Sequence, residues 1–328
     1  MAKVTVITGF YNRGELLRRT VESILNQTYA DFELVVFDDA SRDDTAARLA
    51  ELAAEYNDPR FRYTVNEINR GFVGSLIETI GHTTSEYVAI QGSGDASLPR
   101  RLGQQVALLD GDSSIGAVGG WYYNVLPDDQ GRRLRTPDAS STTFSSLLTG
   151  NVFSHGEVMF RRETYERAGG YRQQFKFAQD YDLWLRMSKI SRFASVLEPI
   201  YERYVQFDGV SYHPEKVIVQ SRYSIAARKL AQLSPDEEAK ALAAVTAGGP
   251  EAIVPLSDPG VQKKVRSAVL RSALFGASDN ARQVARTSVT NPFSRSLLTT
   301  AAALAGTPAL GPLVGVARRA LKIDRTGT

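Results

Sequence analysis

The residues most able to do chemistry are carboxylates placed where a strand stops. In "FDDASRDDT", residues 37–45, Asp38 and Asp39 stand side by side directly after an apolar run. Ser41 followed three residues later by Asp44 reads as a capping-box start, so neither Asp38 nor Asp39 is needed as a helix cap. Such a residue can close an Asx turn, or it can accept a hydrogen bond from a ligand N–H or a ribose hydroxyl. In "IQGSGDASLP", residues 90–99, a single carboxylate, Asp95, sits on a glycine-rich bend between a buried-type run and a helix that Pro99 helps to start. In "FAQDYDLWLRM", residues 177–187, Asp180 can cap a helix and Asp182 can occupy its first turn, where negative charge suits the dipole. A carboxylate held at a helix start beside aromatic side chains can also serve as a general base. Finally, "NEINRGFVGS", residues 66–75, puts Arg70 beside Gly71 at a strand-to-helix turn. There an arginine is either simply solvated or contacts a phosphate at a helix N-terminus.

The elements that must position these residues alternate. Strands are predicted at 3–9, 32–37, 61–65 and 86–91. Helices are predicted at 15–28, where Leu17, Val21, Ile24, Leu25 and Thr28 fall at helical spacing, and at 43–56 and 71–81. Short links in βαβα order predict an α/β fold, a doubly wound and mostly parallel sheet with helices on both faces. In such sheets ligands bind outside the carboxyl ends of the strands, where Asp38, Asp39 and Asp95 lie. Residues 115–161 lose the helical period. "IGAVGGWYYNV" and "GEVMFRR" read as strands separated by a polar loop, a helix is expected at 162–168 and another near Asp180, and "FASVL" and "IYERYVQF" read as two strands. From about 218 the pattern is helical, with breaks at Gly248-Gly249-Pro250 and Asn291-Pro292. The expected division is therefore 1–217 and 218–328.

Composition narrows the function further. The chain has 328 residues and no cysteine, which excludes disulfides, iron–sulfur clusters, thiol catalysis and cysteine zinc sites. His82, His155 and His213 are far apart, so a histidine metal site is not expected. Residues 218–328 carry 15 Lys and Arg against 7 Asp and Glu, leaving 24 against 29 in residues 1–217. The acidic part suits cations or metals; the basic part suits an anionic surface. No helix-turn-helix, zinc-finger or RNP pattern is present, so nucleic acid is not an expected partner. Residues 296–317 are uncharged and Arg318-Arg319 follow. Their glycines, prolines and hydroxyls make a poor membrane span, which leaves a buried helical hairpin or an interfacial anchor with a basic flank. The N-terminus enters a strand directly, so a cytoplasmic location is expected, peripheral to the inner face of the membrane if the anchor reading holds.

In their order along the chain, "VTVITGFYNRGELLRRTVESILNQTYADFELVVFDDASRDDT", "NRGF", the 86–101 strand and loop, and "EVMFRRETYERAGGYRQQFKFAQDYDLWLRM" resemble the family 2 glycosyltransferases of the GT-A fold, over roughly residues 3–215. The resemblance implies inverting transfer of a sugar from a nucleoside diphosphate donor, with UDP- or dTDP-sugars favoured, to a saccharide or lipid-linked acceptor. It places Gly9, Tyr11 and Asp39 at the nucleoside, Arg70 near the diphosphate, and Asp180 as the base. The family has Asp-x-Asp or Asp-x-Asp-Asp after the fourth strand, and the last Asp-x-Asp carboxylate ligates a divalent metal. Counting back from Pro99, those positions are Gly92 and Gly94, so Asp95, one residue later, is the remaining candidate ligand for Mn²⁺ or Mg²⁺. Gln179 stands where the family usually has glutamate, and the absence of a Gln-x-x-Arg-Trp motif argues for a non-processive enzyme.

Two other classes compete. A dehydrogenase would share the fold outline, but "ITGFYNRGEL" has no GxGxxG. A catalytically degenerate nucleotide-binding or scaffold protein would tolerate Gly92 and Gly94, whereas Asp39 and Asp180 together speak for an enzyme.

Overall fold

The computed structural model describes residues 2–127, 131–205 and 214–307, together with 313, 314 and 316. Two compact units emerge, Met1–Val205 and Gln206–Thr328. The first is built on strands β1 (Val4–Phe10), β2 (Phe32–Asp38), β3 (Phe61–Val65), β4 (Tyr87–Ile90), β5 (Ala96–Ser97), β6 (Ile115–Val125), β7 (Arg132–Arg135), β8 (Met159–Arg161) and β9 (Arg192–Tyr204). Its helices are α1 (Leu17–Leu25), α2 (Thr45–Tyr56), α3 (Gly71–Gly81), α4 (Arg101–Gly111), α5 (Phe144–Leu147), α6 (Arg162–Arg167) and α7 (Gln179–Met187). The second unit holds α8 (Pro214–Leu230), α9 (Pro235–Gly248), α10 (Pro259–Leu274), α11 (Ser278–Ser288) and α12 (Pro292–Ala305).

The sheet runs β3-β2-β1-β4-β8-β6-β9-β5, with β7 paired to β6. β3, β2, β1 and β4 are parallel, and β1, "VTVITGF", is buried along its whole length between β2 and β4. That explains its near-continuous apolar and β-branched sequence, since a central parallel strand is covered on both faces. Leu17, Val21, Ile24 and Leu25 of α1 fill the core beside Leu34, Val36 and Leu102. The chain leaves β1 for β2 and β3 on one side and returns to β4 on the other. This reversal opens a crevice at the carboxyl ends of the strands, where ligands bind in such sheets.

Three features depart from the sequence reading. The polar stretch after β6 is not all loop: β7, "RRLR", pairs antiparallel with β6 as a charged edge strand. Arg132 lies 4.2 Å from the centre of the Tyr123 ring, and such a charged edge discourages pairing with other chains. The two strands expected around 193–207 are one strand, β9. Its pairing with β6 jumps from Gly120↔Val196 to Trp121↔Pro199, a bulge that places the proline, which lacks an N–H, off the regular ladder. Lastly, Ser41 does not cap α2. The helix starts at Thr45, whose N–H and hydroxyl both donate to the Asp43 carboxylate.

In the second unit α10 packs against α8, α11 and α12. Proline at the first turn starts α9, α10 and α12, and Asn291 caps α12 by accepting from the Ser294 N–H. No helix among the described residues is long and apolar enough to cross a membrane. Within 296–317, α12 supplies residues up to Ala305, while 308–312, 315 and 317, like Arg318 and Arg319 after it, lie outside the described residues.

Candidate active site

Pleat alternation separates the two adjacent carboxylates at the end of β2. Asp38 turns to its own loop, accepting from both the Ser41 hydroxyl and the Ser41 N–H. The same hydroxyl accepts from the Asn12 N–H at 2.8 Å, which joins the β1 and β2 loops. Asp39 faces the other way and is also buried. Its Oδ1 accepts from Asn66 Nδ2 at 3.0 Å, the Arg70 N–H at 3.0 Å and Ser75 Oγ at 2.8 Å. No group among the described residues donates to Oδ2. The turn reading therefore describes Asp38, and Asp39 is a carboxylate with one oxygen fixed and one uncommitted.

The other residues expected to meet the donor, Tyr11 and Gly9 at the nucleoside and Arg70 near the diphosphate, differ in their surroundings. Tyr11, just past β1, is 42% exposed, a large ring left open at the crevice. Gly9 lies inside β1, where an added Cβ would come within 2.1 Å of the Phe37 ring, so its visible role is to admit that ring. Arg70 precedes α3 and is bound to Asp39 through its backbone; its guanidinium pairs with Glu78. A cleft of about 480 Å³ along α3 is lined by Asn69, Arg70, Glu78 and Gln173.

At the start of α7 the two aspartates also separate. Asp182 is buried and bridges Arg172, at 3.2 Å, and Arg186, at 2.6 Å. Asp180 is half-buried, and its Oδ2 accepts from Asn151 Nδ2 at 3.0 Å. Trp184, Leu183 and Met187 are buried, and Trp184 packs on Phe153, Phe160 and Phe193, fixing the helix behind Asp180.

A row of rings joins the Asp39 and Asp180 ends. Phe37 lies against Phe72 at 6.0 Å, Phe72 against His155 at 5.9 Å, and His155 against Tyr171 at 5.7 Å. His155 Nε2 is 2.7 Å from Tyr171 Oη. Burial holds the His155 ring below the usual imidazole range, with the Asp180 charge acting the opposite way. His155, Tyr171 and Asn151 carry no sequence motif that marks them. Only the fold gathers them from the 151–157 loop and the segment before α7. Backbone strain marks the same rim. Asn12, Ala40 and Ala178 adopt left-handed φ of 52°, 60° and 54°, adjacent or close to Tyr11, Asp39 and Asp180. At the two alanines this costs on the order of 1 kcal/mol each, while Asn12 tolerates the conformation better.

Asp95 is placed differently from a metal ligand. Its Oδ2 accepts from Tyr201 Oη at 2.8 Å and its Oδ1 from the Tyr204 N–H at 2.9 Å, so the carboxylate clamps the β4–β5 loop to β9. Burial pushes it up to about 6 against the effect of these hydrogen bonds. Among the described residues no group of three or more His, Asp or Glu could hold a metal ion. The residues present at this loop do not fit a protein-held divalent cation.

The family model "Glycosyl transferase family 2" matches residues 5–169, half of the chain. The chain belongs to glycosyl transferase family 2. The EpsE protein of Bacillus subtilis (strain 168) is 37% identical over 186 residues, covering 56% of this chain and 66% of that protein. A chondroitin synthase of Escherichia coli is 24% identical over 230 residues, 70% of this chain and 33% of the synthase. The chain thus matches less than two thirds of the length of these relatives. Among solved structures, the mannosyltransferase PcManGT of Pyrobaculum calidifontis, in complex with GDP-Man and Mn²⁺, aligns with a TM-score of 0.58 at 21% identity, covering 98% of this chain and 88% of that one. S. aureus TarS 1-349 in complex with UDP aligns with a TM-score of 0.55 at 19% identity, covering 99% and 89%. These likenesses establish the GT-A-like fold. The family 2 assignment also puts β1, β2 and the β4–β5 loop, with Asp39 and Asp95, inside the matched stretch and leaves Asp180 beyond it.

Proposed function

We propose that the chain is a non-processive, inverting glycosyltransferase that moves a sugar from a nucleoside diphosphate sugar to a hydroxyl of a saccharide or lipid-linked acceptor. The observation that carries this reading is the contrast at α7. Asp182 is consumed by two arginines, while Asp180, two residues after the left-handed Ala178, is oriented by Asn151 and left half-open. In the transfer, Asp180 takes the proton of the acceptor hydroxyl. The oxygen attacks the anomeric carbon from the face opposite the leaving group. The anomeric C–O bond breaks, and its electron pair stays on the diphosphate. Asp39 accepts an N–H of the base through Oδ2, and Tyr11 offers a face for stacking. UDP- and dTDP-sugars are the favoured donors. The names of the chondroitin synthase relatives fit a polysaccharide precursor as acceptor. A panel of nucleotide sugars, scored for slow hydrolysis, separates this reading from a nucleotide-binding scaffold, which binds without turnover.

The Asp39 contact has its own test. Asp39→Ala would strand the Asn66, Arg70 and Ser75 donors, so a fold change would confuse the result. Asp39→Asn keeps the shape and removes the charge. It is expected to weaken binding of the preferred nucleoside diphosphate about tenfold, the value of a charge-assisted hydrogen bond over a neutral one. Unchanged affinity by calorimetry would assign Asp39 to loop architecture alone.

The second unit is proposed to rest on an anionic membrane surface at the cytoplasmic face. Phe293, Leu297 and Leu304 of α12 are exposed, at spacings of one and two turns, so they form an apolar stripe within the basic region of the chain. The 328-residue chain is expected to float with vesicles containing anionic lipid, and the triple variant Phe293→Gln, Leu297→Gln, Leu304→Gln to stay behind. Equal flotation of the two would remove the stripe from membrane binding.

A further inference from the structure

The β4–β5 loop is shaped for glycine at both positions where the family resemblance expects metal-binding carboxylates. A Cβ on Gly92 would stand 2.3 Å from Asp95 Oδ2 and 2.8 Å from Tyr201 Oη. Gly94 has φ of +88°, and a Cβ there would meet Leu16 Cδ1 at 2.8 Å. Gly156, in the 155–157 turn, lies against the same Tyr201 hydroxyl and the Gly92 N–H. The clamp described above therefore occupies the room that a first aspartate would need, and the backbone conformation disfavours a second. A diphosphate at this loop still needs positive charge opposite it.

Beside the loop stands a cation with spare donors. Arg19 of α1 donates Nε–H to the Gly94 carbonyl at 2.7 Å, and its guanidinium lies 3.6 Å from the centre of the Tyr204 ring. Among the described residues it makes no direct ion pair, though its charge acts on the buried Asp95 carboxylate, and its two terminal nitrogens have no hydrogen-bond acceptor. Other arginines of this unit are engaged: Arg70 pairs with Glu78, Arg172 with Asp182, and the fully buried Arg101 bonds Gln91, Ser97 and the Ile90 carbonyl, while Arg203, whose charge also reaches Asp95, is held through Nε–H on Asn124 Oδ1. The loop also leaves Ser93 Oγ buried without a partner among the described residues, a donor with nothing to donate to. Leaving such a hydroxyl unsatisfied is unfavourable, and an anion would satisfy it.

We infer that Arg19, with Ser93 and the glycine backbone of the loop, forms a diphosphate-binding site that takes the place of a carboxylate-held divalent metal. A guanidinium stacked on a ring and anchored through Nε keeps its two terminal NH₂ groups aimed together, which suits two phosphate oxygens. Glycine at 92 and 94 removes the side chains that would keep phosphates from the backbone. The inference rests on the reading of the donor as a nucleoside diphosphate sugar.

The test begins with thermal shifts of the full chain with UDP, dTDP and GDP, each in excess EDTA and with added Mn²⁺. Calorimetry then compares the preferred diphosphate with its nucleoside for wild type, Arg19→Gln and Arg19→Lys. The expected results are diphosphate binding in EDTA close to that in Mn²⁺, and a loss of about tenfold or more in Arg19→Gln, with Arg19→Lys between. Nucleoside affinity should be the same in all three proteins. Binding that needs Mn²⁺ and vanishes in EDTA overturns the inference, as does Arg19→Gln binding the diphosphate like wild type. Equal loss of nucleoside and diphosphate also overturns it, because it marks collapse of the loop. No binding of any nucleotide in either buffer overturns the donor reading itself, an outcome distinct from the others.

Discussion

Asp180→Asn is expected to lower sugar transfer by roughly a hundredfold or more, a typical loss for a general base, while leaving affinity for the donor nucleotide nearly unchanged. The amide keeps the size of the carboxylate and its place in the first turn of α7, and its oxygen can still accept from Asn151. What it lacks is an oxygen able to take a proton. Asp182, two residues on, cannot substitute, because both of its oxygens are tied to Arg172 and Arg186 and it is buried. Rates are to be measured with the nucleotide sugar that the hydrolysis panel selects, with binding followed separately by calorimetry. Because the proposed role of Asp180 is to act on the acceptor proton, the loss should fall on kcat rather than on donor binding. Normal turnover in Asp180→Asn would remove the mechanism.

The second large effect concerns stability rather than turnover. Glu157 is fully buried in the turn after Ser154, with Oε1 accepting from the Ser154 N–H at 3.1 Å and Oε2 without a partner among the described residues. Burial pushes its carboxyl up from 4.5 to about 8, against the effects of the backbone hydrogen bonds and the Arg101 charge. The folded state thus holds a proton that the unfolded chain releases, and stability must fall as pH rises from about 4.5 through about 8. His155, held below its usual 6.5, acts the other way but only at lower pH. Between about pH 6.5 and 8 the Glu157 effect stands alone, at roughly 2 kcal/mol or a few degrees of Tm. Glu157→Gln should flatten that slope. Asp95→Asn should not, since Asp95, raised to about 6, has titrated before this window opens. An unchanged slope in Glu157→Gln would mean that Glu157 is ionised in the folded protein.

The parallel half of the fold was legible because its signals are local. A buried central strand must be apolar throughout, as "VTVITGF" is, and α1 shows its inward face in Leu17, Val21, Ile24 and Leu25. The charged edge strand β7 was not legible, since "RRLR" is stabilised by pairing with β6 and by rings such as Tyr123, not by burial. The joining of two apparent strands into β9 depends on a bulge beside Pro199, which only the partner strand reveals. At the site, the sequence marked Asp38 and Asp39 equally, and the pleat separates them: Asp38 closes its turn while Asp39 organises Asn66, Arg70 and Ser75. Asp180 and Asp182 were separated in the same way, Asp182 by Arg172 and Arg186 and Asp180 by Asn151 from a separate loop. Spacing can nominate a carboxylate; its tertiary partners decide whether any basicity is left over. Asp95 shows the converse, because its partners, Tyr201 and the Tyr204 backbone, come from more than a hundred residues away.

The crowding of Asp39 Oδ1 has a consequence for which nucleobase the proposed contact accepts. With three donors already on that oxygen, the carboxylate meets a ligand through Oδ2, a lone-pair-rich atom that can only accept. Uracil, thymine and guanine each present a ring N–H on the Watson–Crick edge and complement it. Adenine and cytosine present a ring nitrogen lone pair at the equivalent position, so the two electron-rich atoms face each other with no proton between them. Discrimination at this contact then arises from repulsion of the wrong base as much as from attraction of the right one, and a carboxylate held rigidly by its neighbours cannot swing aside to relieve it.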